Sequence, residues 1–167
     1  MKEIEILFRG KRIDGCNNWV YGSLIESKDK CFIIQNKNLI IGKNNTISNT
    51  SVQMIIPESV GQYTGLTDKN GTKIFEGDIL KVKEYKNGFM FESMEFRDSF
   101  ELQELEANLN KEYTSKVYYE ECSFVIKESD RCTIFLGALC GNMKHSQPIY
   151  EFEIIGNMID NTELLNK

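Results

Sequence analysis

Along most of this chain apolar and polar residues alternate with a period of two, the spacing at which a half-buried strand sends its side chains to opposite faces. Ile4, Ile6 and Phe8 alternate with Glu3, Glu5 and Arg9, so the first strand is expected to bury both isoleucines and the phenylalanine. Residues 19–25 (WVYGSLI) and 31–35 (CFIIQ) are separated by polar turn formers and read as a hairpin or meander. The stretch 42–51, GKNNTISNTS, reads as a surface loop, and 52–56 returns as a short strand that Pro57 ends. Further strands are expected at 115–119, 123–126, 133–136 and 149–155. One segment breaks the pattern. Leu102, Leu105 and Leu109 recur at helical spacing with Glu101, Glu104, Glu106 and Asn108 on other faces. Asp98 and Glu101 have the spacing of a capping box, which predicts a helix over 98–110.

The block 61–82, GQYTGLTDKNGTKIFEGDILKV, specifies backbone direction most clearly. Asp68-Lys69-Asn70-Gly71 lies between Tyr63-Thr64-Gly65-Leu66 and Lys73-Ile74-Phe75. That is the pattern of a tight hairpin in which Asn70 and Gly71 supply positive φ. Glu76-Gly77-Asp78 forms a second turn, after which Leu80 and Val82 face inward and Lys81 and Lys83 outward. The run Gln62, Tyr63, Thr64, Gly65, Leu66, then Asp68 to Gly71, then Ile74, Phe75, Glu76, Gly77, Asp78 and Ile79 resembles the signature of the YopX family of bacteriophage and prophage proteins. Residues 4–9 resemble that family's opening strand, and 152–161, with Gly156 and Asn157, its closing segment. The sequence departs from the pattern at Gly10, Asp160 and Thr162, and 86–113 reads as an insertion. The resemblance implies a β-rich, SH3-like fold, a phage accessory role in the cytosol of a bacterial host, and no established activity.

The expected fold is therefore α+β and mainly β. An N-terminal β-meander subdomain would span 1–60 and an SH3-like barrel 61–167, carrying the inserted helix and sharing a core across a soft boundary near Ser59-Val60-Gly61. At 167 residues and 41% hydrophobic, the chain has apolar material for such a core without a disulfide or metal. Its formal net charge of −5 disfavours a protein whose main affinity comes from phosphate contacts. No apolar run long enough for a membrane span and no secretory leader is visible, so no membrane association is expected.

Candidate chemistry is sparse. Cys16, Cys31, Cys122, Cys132 and Cys140 lack the close pairing that zinc sites use and read as reduced, mostly buried small hydrophobes. His145, the only histidine, lies in a polar loop with nothing beside it in sequence to activate the ring. Asp68, Glu76 and Asp78 have a hydrolase-like or Mg²⁺-like spacing, but carboxylates that open turns need no substrate. The glycines match neither a P-loop nor a dinucleotide turn. No catalytic residue, cofactor or metal site is expected, and an enzyme is the least favoured class. Lys81, Lys83 and Lys86 with Tyr85 and Phe89 form the best basic and aromatic cluster, interrupted by Glu84, Glu92 and Glu95.

Two function classes follow. The first is a non-enzymatic interaction protein that binds itself, as a homo-oligomer, or an unidentified host or phage protein. Its expected surface is the insertion, where Phe89, Phe91, Met94, Phe96 and Phe100 lie beside acidic Glu101 and Glu104. That apolar group reads equally as a lid on the barrel. The second class is a nucleic-acid-binding barrel in phage replication or regulation, resting on fold analogy alone.

Overall fold

A computed structural model describes residues 5–16, 18–35, 39–41, 47–49, 51–85, 109–129, 132–136 and 149–165. The chain divides into two compact units, Met1–Leu66 with Lys73–Gly77, and Thr67–Thr72 with Asp78–Lys167. The turn at 67–72 thus groups with the second unit although the strands it joins lie in the first.

In the first unit, β1 (Phe8–Lys11), β2 (Trp19–Ser27), β3 (Lys30–Ile34), β6 (Val52–Ile55), β7 (Gly61–Thr67) and β8 (Lys73–Phe75) form one sheet in the order β6-β3-β2-β1-β7-β8. β4 (Leu39–Ile41) and β5 (Ile47–Asn49) pair separately, so the stretch expected as a loop over 42–51 contributes a strand instead. β2 is shared between two partners. Its first half pairs with β1, ending at Gly22 opposite Phe8, and its second half pairs with β3 from Ser23 onward. Gly22 stands at that corner because the chain crosses there too closely for a side chain. An added Cβ would lie 1.9 Å from the carbonyl oxygen of Ile34. Beyond the corner, β6 curls back toward β1: Arg12 bridges Ile55, and the amide of Ile56 donates to Lys11 O at 2.8 Å. Gly10, one of the departures from the family pattern, faces this enclosed space, and a Cβ there would meet Ile55 Cδ1 at 2.2 Å. Val20, Cys31, Ile33 and Ile55 form the enclosed core, with Phe8, Leu24 and Val60 packed on it.

The second unit contains two antiparallel three-stranded sheets. β9 (Asp78–Tyr85) is central between β10 (Leu109–Lys116) and β14 (Ile149–Asn157), and β12 (Ser123–Ser129) is central between β11 (Tyr118–Glu120) and β13 (Cys132–Phe135). The alternation read in β9 is realised: Leu80 and Val82 are fully buried while Lys81 and Lys83 are half-exposed. Val117, Val125, Ile126 and Leu136 join them as fully buried aliphatic side chains, each contributing roughly 2 kcal/mol by leaving water. The Glu121-Cys122 turn between β11 and β12 has both residues at positive φ, +49° and +62°, as a two-residue hairpin of matching twist requires.

The architecture is mainly β and antiparallel. Among the described residues, helical structure is confined to short 3-10 turns such as Pro57–Ser59 and Thr162–Leu165, and no helix is long and apolar enough to cross a membrane. The helix expected over 98–110 falls outside the described residues up to 108. Its last two positions, Leu109 and Asn110, are strand, because Leu109 pairs with Tyr85 at the end of β9 and Asn110 lies at the register shift before Lys111 pairs with Glu84. The opening strand also differs from expectation. It begins at Phe8, and Ile6 is 66% exposed. The amide of Tyr63 still donates to Leu7 O at 2.8 Å, but the register with β2 starts only at Phe8, so the alternating pattern runs on beyond the pairing that would bury it. Three cysteines expected to be buried are not. Cys31 is a core residue, whereas Cys16, Cys122 and Cys132 are exposed, two of them in turns where little packs around them. Cys140 lies outside the described residues.

One side chain in the second unit sits against its own interest. The hydroxyl of Tyr113 on β10 is buried and has no hydrogen-bond partner among the described residues. Burial first, then the nearby Tyr150, Glu128 and Glu84, pushes its pKa far up, so it stays a neutral phenol. Tyr113→Phe is expected to raise unfolding free energy by about 1 kcal/mol in a denaturant titration, since it deletes an unpaired polar group and keeps the ring.

Candidate functional site

The signature residues serve turns, edges and one aromatic array. In the first unit, Arg9 on β1 is buried with its guanidinium 4.7 Å from the Trp19 ring and 5.0 Å from the Phe75 ring, and its Nη2 donates to Glu76 O at 3.2 Å. Gly61 is Arg9's partner in register on β7, and its lack of a side chain permits this, since a Cβ would lie 2.5 Å from Glu76 O and 3.5 Å from Arg9 Nε. Phe75 also meets Tyr63 and Tyr21, each at 5.6 Å between ring centres, and Lys73 Nζ lies 5.0 Å over the Tyr63 ring while pairing with Glu5. Thr64 Oγ1 donates to Ile74 O at 2.9 Å, tying β7 to β8. Glu76 acts through its backbone, its amide donating to Gln62 O at 2.9 Å. Beside this array is a groove of about 450 Å³ lined by Glu5, Leu7, Trp19, Tyr21, Gln35 and Lys73.

In the second unit, Asp68 anchors the hairpin tip. Gly71 N donates to Asp68 O and Asp68 N to Thr72 O, at 2.9 and 2.8 Å, a turn followed by a left-handed glycine. Gly71 alone of the tip takes positive φ, +79°; Asn70, expected to share that role, does not, because the turn places only its last residue in the left-handed region. Asp68 Oδ1 accepts from the amides of Asn70 and Thr72, both at 2.9 Å, and Oδ2 from Ile154 N on β14 at 3.3 Å. Burial raises its pKa, but the amides of Thr72, Ile154 and Asn70 outweigh burial and hold it below the ordinary carboxylate value. Lys69 extends the attachment: its amide donates to Phe152 O at 2.9 Å, and its ammonium lies 2.6 Å from Glu153 and 3.9 Å from Glu151.

The remaining signature positions have local explanations. Gly65 and Gly77 take φ of +86° and +80°. Asp78 is buried at the start of β9, where its carbonyl accepts from Val117 N at 2.9 Å. Gly156 follows a register shift in β14, and a Cβ there would lie 2.7 Å from Asn161 Oδ1. Asn157 then closes the strand, its Oδ1 accepting from Ile159 N and Asp160 N at 3.0 Å each. Among the described residues no group of three histidine, cysteine or carboxylate side chains is placed to hold a metal. Asp68 and Asp78 lie in the second unit and Glu76 in the first.

Lys81 and Lys83 stand in rows with carboxylates. In register, Lys83 lies between Glu112 and Glu151, Lys81 pairs with Glu153, and Lys81 Nζ is 3.0 Å from Glu112. Phe89, Phe91, Met94, Phe96, Phe100, Glu101, Glu104, Lys86 and His145 all lie outside the described residues.

A surface that sequence reasoning missed lies on the outer face of the first unit. Ile25, Phe32 and Met54 are paired in register across β2, β3 and β6, and Ile34 and Val52 form the next row beside Ser23. Ile25, Val52 and Met54 are exposed, 44%, 47% and 37%, and Phe32 and Ile34 half-buried. The signal was present: the run Cys31-Phe32-Ile33-Ile34 is apolar on both faces of one strand, and only Cys31 and Ile33 are needed for the core.

Fold and surfaces together define an antiparallel, mainly-β protein whose signature residues shape turns and hydrogen-bond to β14. The chain belongs to the YopX protein family, whose family model matches residues 7–166. No curated protein and no solved structure matches it.

Proposed function

We propose that this chain is a non-enzymatic protein-interaction module that self-associates through the outer face of its first unit, in the setting of a phage or prophage accessory protein in the bacterial cytosol. The observation that carries the reading is the pair of apolar rows on β2, β3 and β6, a contiguous exposed patch of the kind that marks an interaction surface. Neither row contains a charge, so a second copy packed face to face over these two rows meets apolar side chains, with Lys30 in the next row at the rim. The carboxylates beside Lys81 and Lys83 favour a protein partner over a phosphate backbone. The SH3-like description of residues 61–167 belongs to the same proposal. It is supported by the two three-stranded sheets of the second unit and by Ser115 Oγ on β10 accepting Lys127 N of β12 at 2.9 Å.

Light scattering on the size-exclusion peak tests this. The wild type is expected above the 19.3 kDa monomer mass, and Ile25→Lys with Met54→Lys is expected to return it to that mass without loss of the β circular-dichroism signal. A wild type that stays monomeric up to its highest soluble concentration would sink the self-association reading.

A further inference from the structure

We propose that the outer edge of β14 is a docking edge for an extended basic strand of a partner protein, kept closed by the Asp68–Lys69 tip of the β7–β8 hairpin. The proposal deepens the interaction-module reading and rests on it only in taking the partner to be a protein.

β14 is an edge strand: β9 pairs along one side, and among the described residues no strand pairs along the other. Edge strands carry unpaired backbone groups that template strand addition, and folded proteins blunt them with charges or a covering loop. Here the tip is the cover. Phe152 O accepts from Lys69 N at 2.9 Å, and Ile154 N donates to Asp68 Oδ2 at 3.3 Å. The Asp68 carboxylate occupies the place of a neighbouring strand's carbonyl. With one amide, one acceptor and one cation, the two-residue tip imitates a short piece of incoming strand.

Charge selects the occupant. Glu151 and Glu153 alternate with Phe152 along the edge, and the tip answers them with the Lys69 ammonium at 3.9 and 2.6 Å. On the inner side the same two glutamates face Lys83 and Lys81 of β9, with Val82 opposite Phe152. An incoming strand with lysine or arginine at alternate positions and an apolar residue between them repeats the Lys81-Val82-Lys83 pattern on the outer side. A second copy of β14 laid antiparallel would set glutamates near glutamates, which is unfavourable in cross-strand pairs. The edge therefore suits a basic alternating segment of a different protein, added as a strand.

The test uses the full chain and a short fluorescent peptide of alternating lysine and valine. Lys69→Ala removes the tip's cation and leaves the Asp68 turn bonds in place. Asp68→Asn weakens the surrogate carbonyl and serves as the second variant, and circular dichroism verifies the fold of each. Both variants are expected to bind the peptide at least about tenfold tighter than wild type, with amide-exchange protection appearing along 150–154. An alternating glutamate–valine peptide, and the lysine peptide N-methylated at alternate amides, are expected not to bind. Equal affinity for wild type and both variants, or undiminished binding of the N-methylated peptide, overturns the proposal, the latter by showing charge attraction without a ladder. Self-association through the first unit is read separately by light scattering, so either result stands without the other.

Discussion

Asp68→Ala is expected to lower the unfolding free energy by about 3 kcal/mol, measured as a drop in denaturant midpoint at unchanged slope. Three backbone amides, from Asn70, Thr72 and Ile154, donate to this one carboxylate. Hydrogen bonds to a charged acceptor contribute roughly 1.5–3 kcal/mol each net of the bonds exchanged with water, and removing the acceptor leaves donors in a site where Asp68 itself is only 7% exposed. The turn amides regain some water on substitution, which keeps the total nearer one strong bond than the sum of three. The loss has a pH signature. Because the folded-state pKa lies below the ordinary 3.8, the deprotonated carboxylate favours the folded chain. That stabilisation is complete above the unfolded value, near pH 4, and is lost as pH falls through the lower folded-state value. Asp68→Asn is expected to flatten this acid limb of the stability curve, and a variant with the wild-type limb would contradict the role assigned to the carboxylate.

Gly22→Ala is the other large effect, a loss of at least about 3 kcal/mol or failure to fold at all. The added methyl would lie 1.9 Å from Ile34 O, 2.7 Å from Ile34 C and 3.1 Å from Gln35 Cα. All three atoms are backbone, so no side-chain rotation relieves the clash; β2 and β3 must separate at the corner where β2 changes partners. Gly15→Ala provides the comparison. An added Cβ there meets nothing within 4 Å, and the cost is confined to a φ of +77°, about 1 kcal/mol. Thermal unfolding of the two variants side by side measures the difference, and equal midpoints would refute the close approach at Gly22.

The turns were legible because they depend on residues adjacent in the chain. Asp68 to Gly71 and Glu76-Gly77 announce reversals wherever they stand, and Ile79 to Tyr85 alternates visibly. What misled was equally local. Ile6 continues an alternating pattern past the point where β2 stops pairing, and 47–49 has the composition of a loop but finds a partner in 39–41. Leu109 falls in phase with Leu102 and Leu105, yet it pairs opposite Tyr85 as a strand.

By itself the sequence determined the family, the antiparallel β character and the positions of the tight turns, since each follows from short-range steric and hydrogen-bonding preferences. Only the tertiary structure decided what those turns are for. That Asp68 reaches Ile154, 86 positions away, and that Lys69 meets Glu153 across a similar span, depends on which strand lies against the hairpin tip. That Phe32, Ile34, Val52 and Met54 share an outer face depends on strand register, which sets the side of every residue and is defined only once the partner strand is in place.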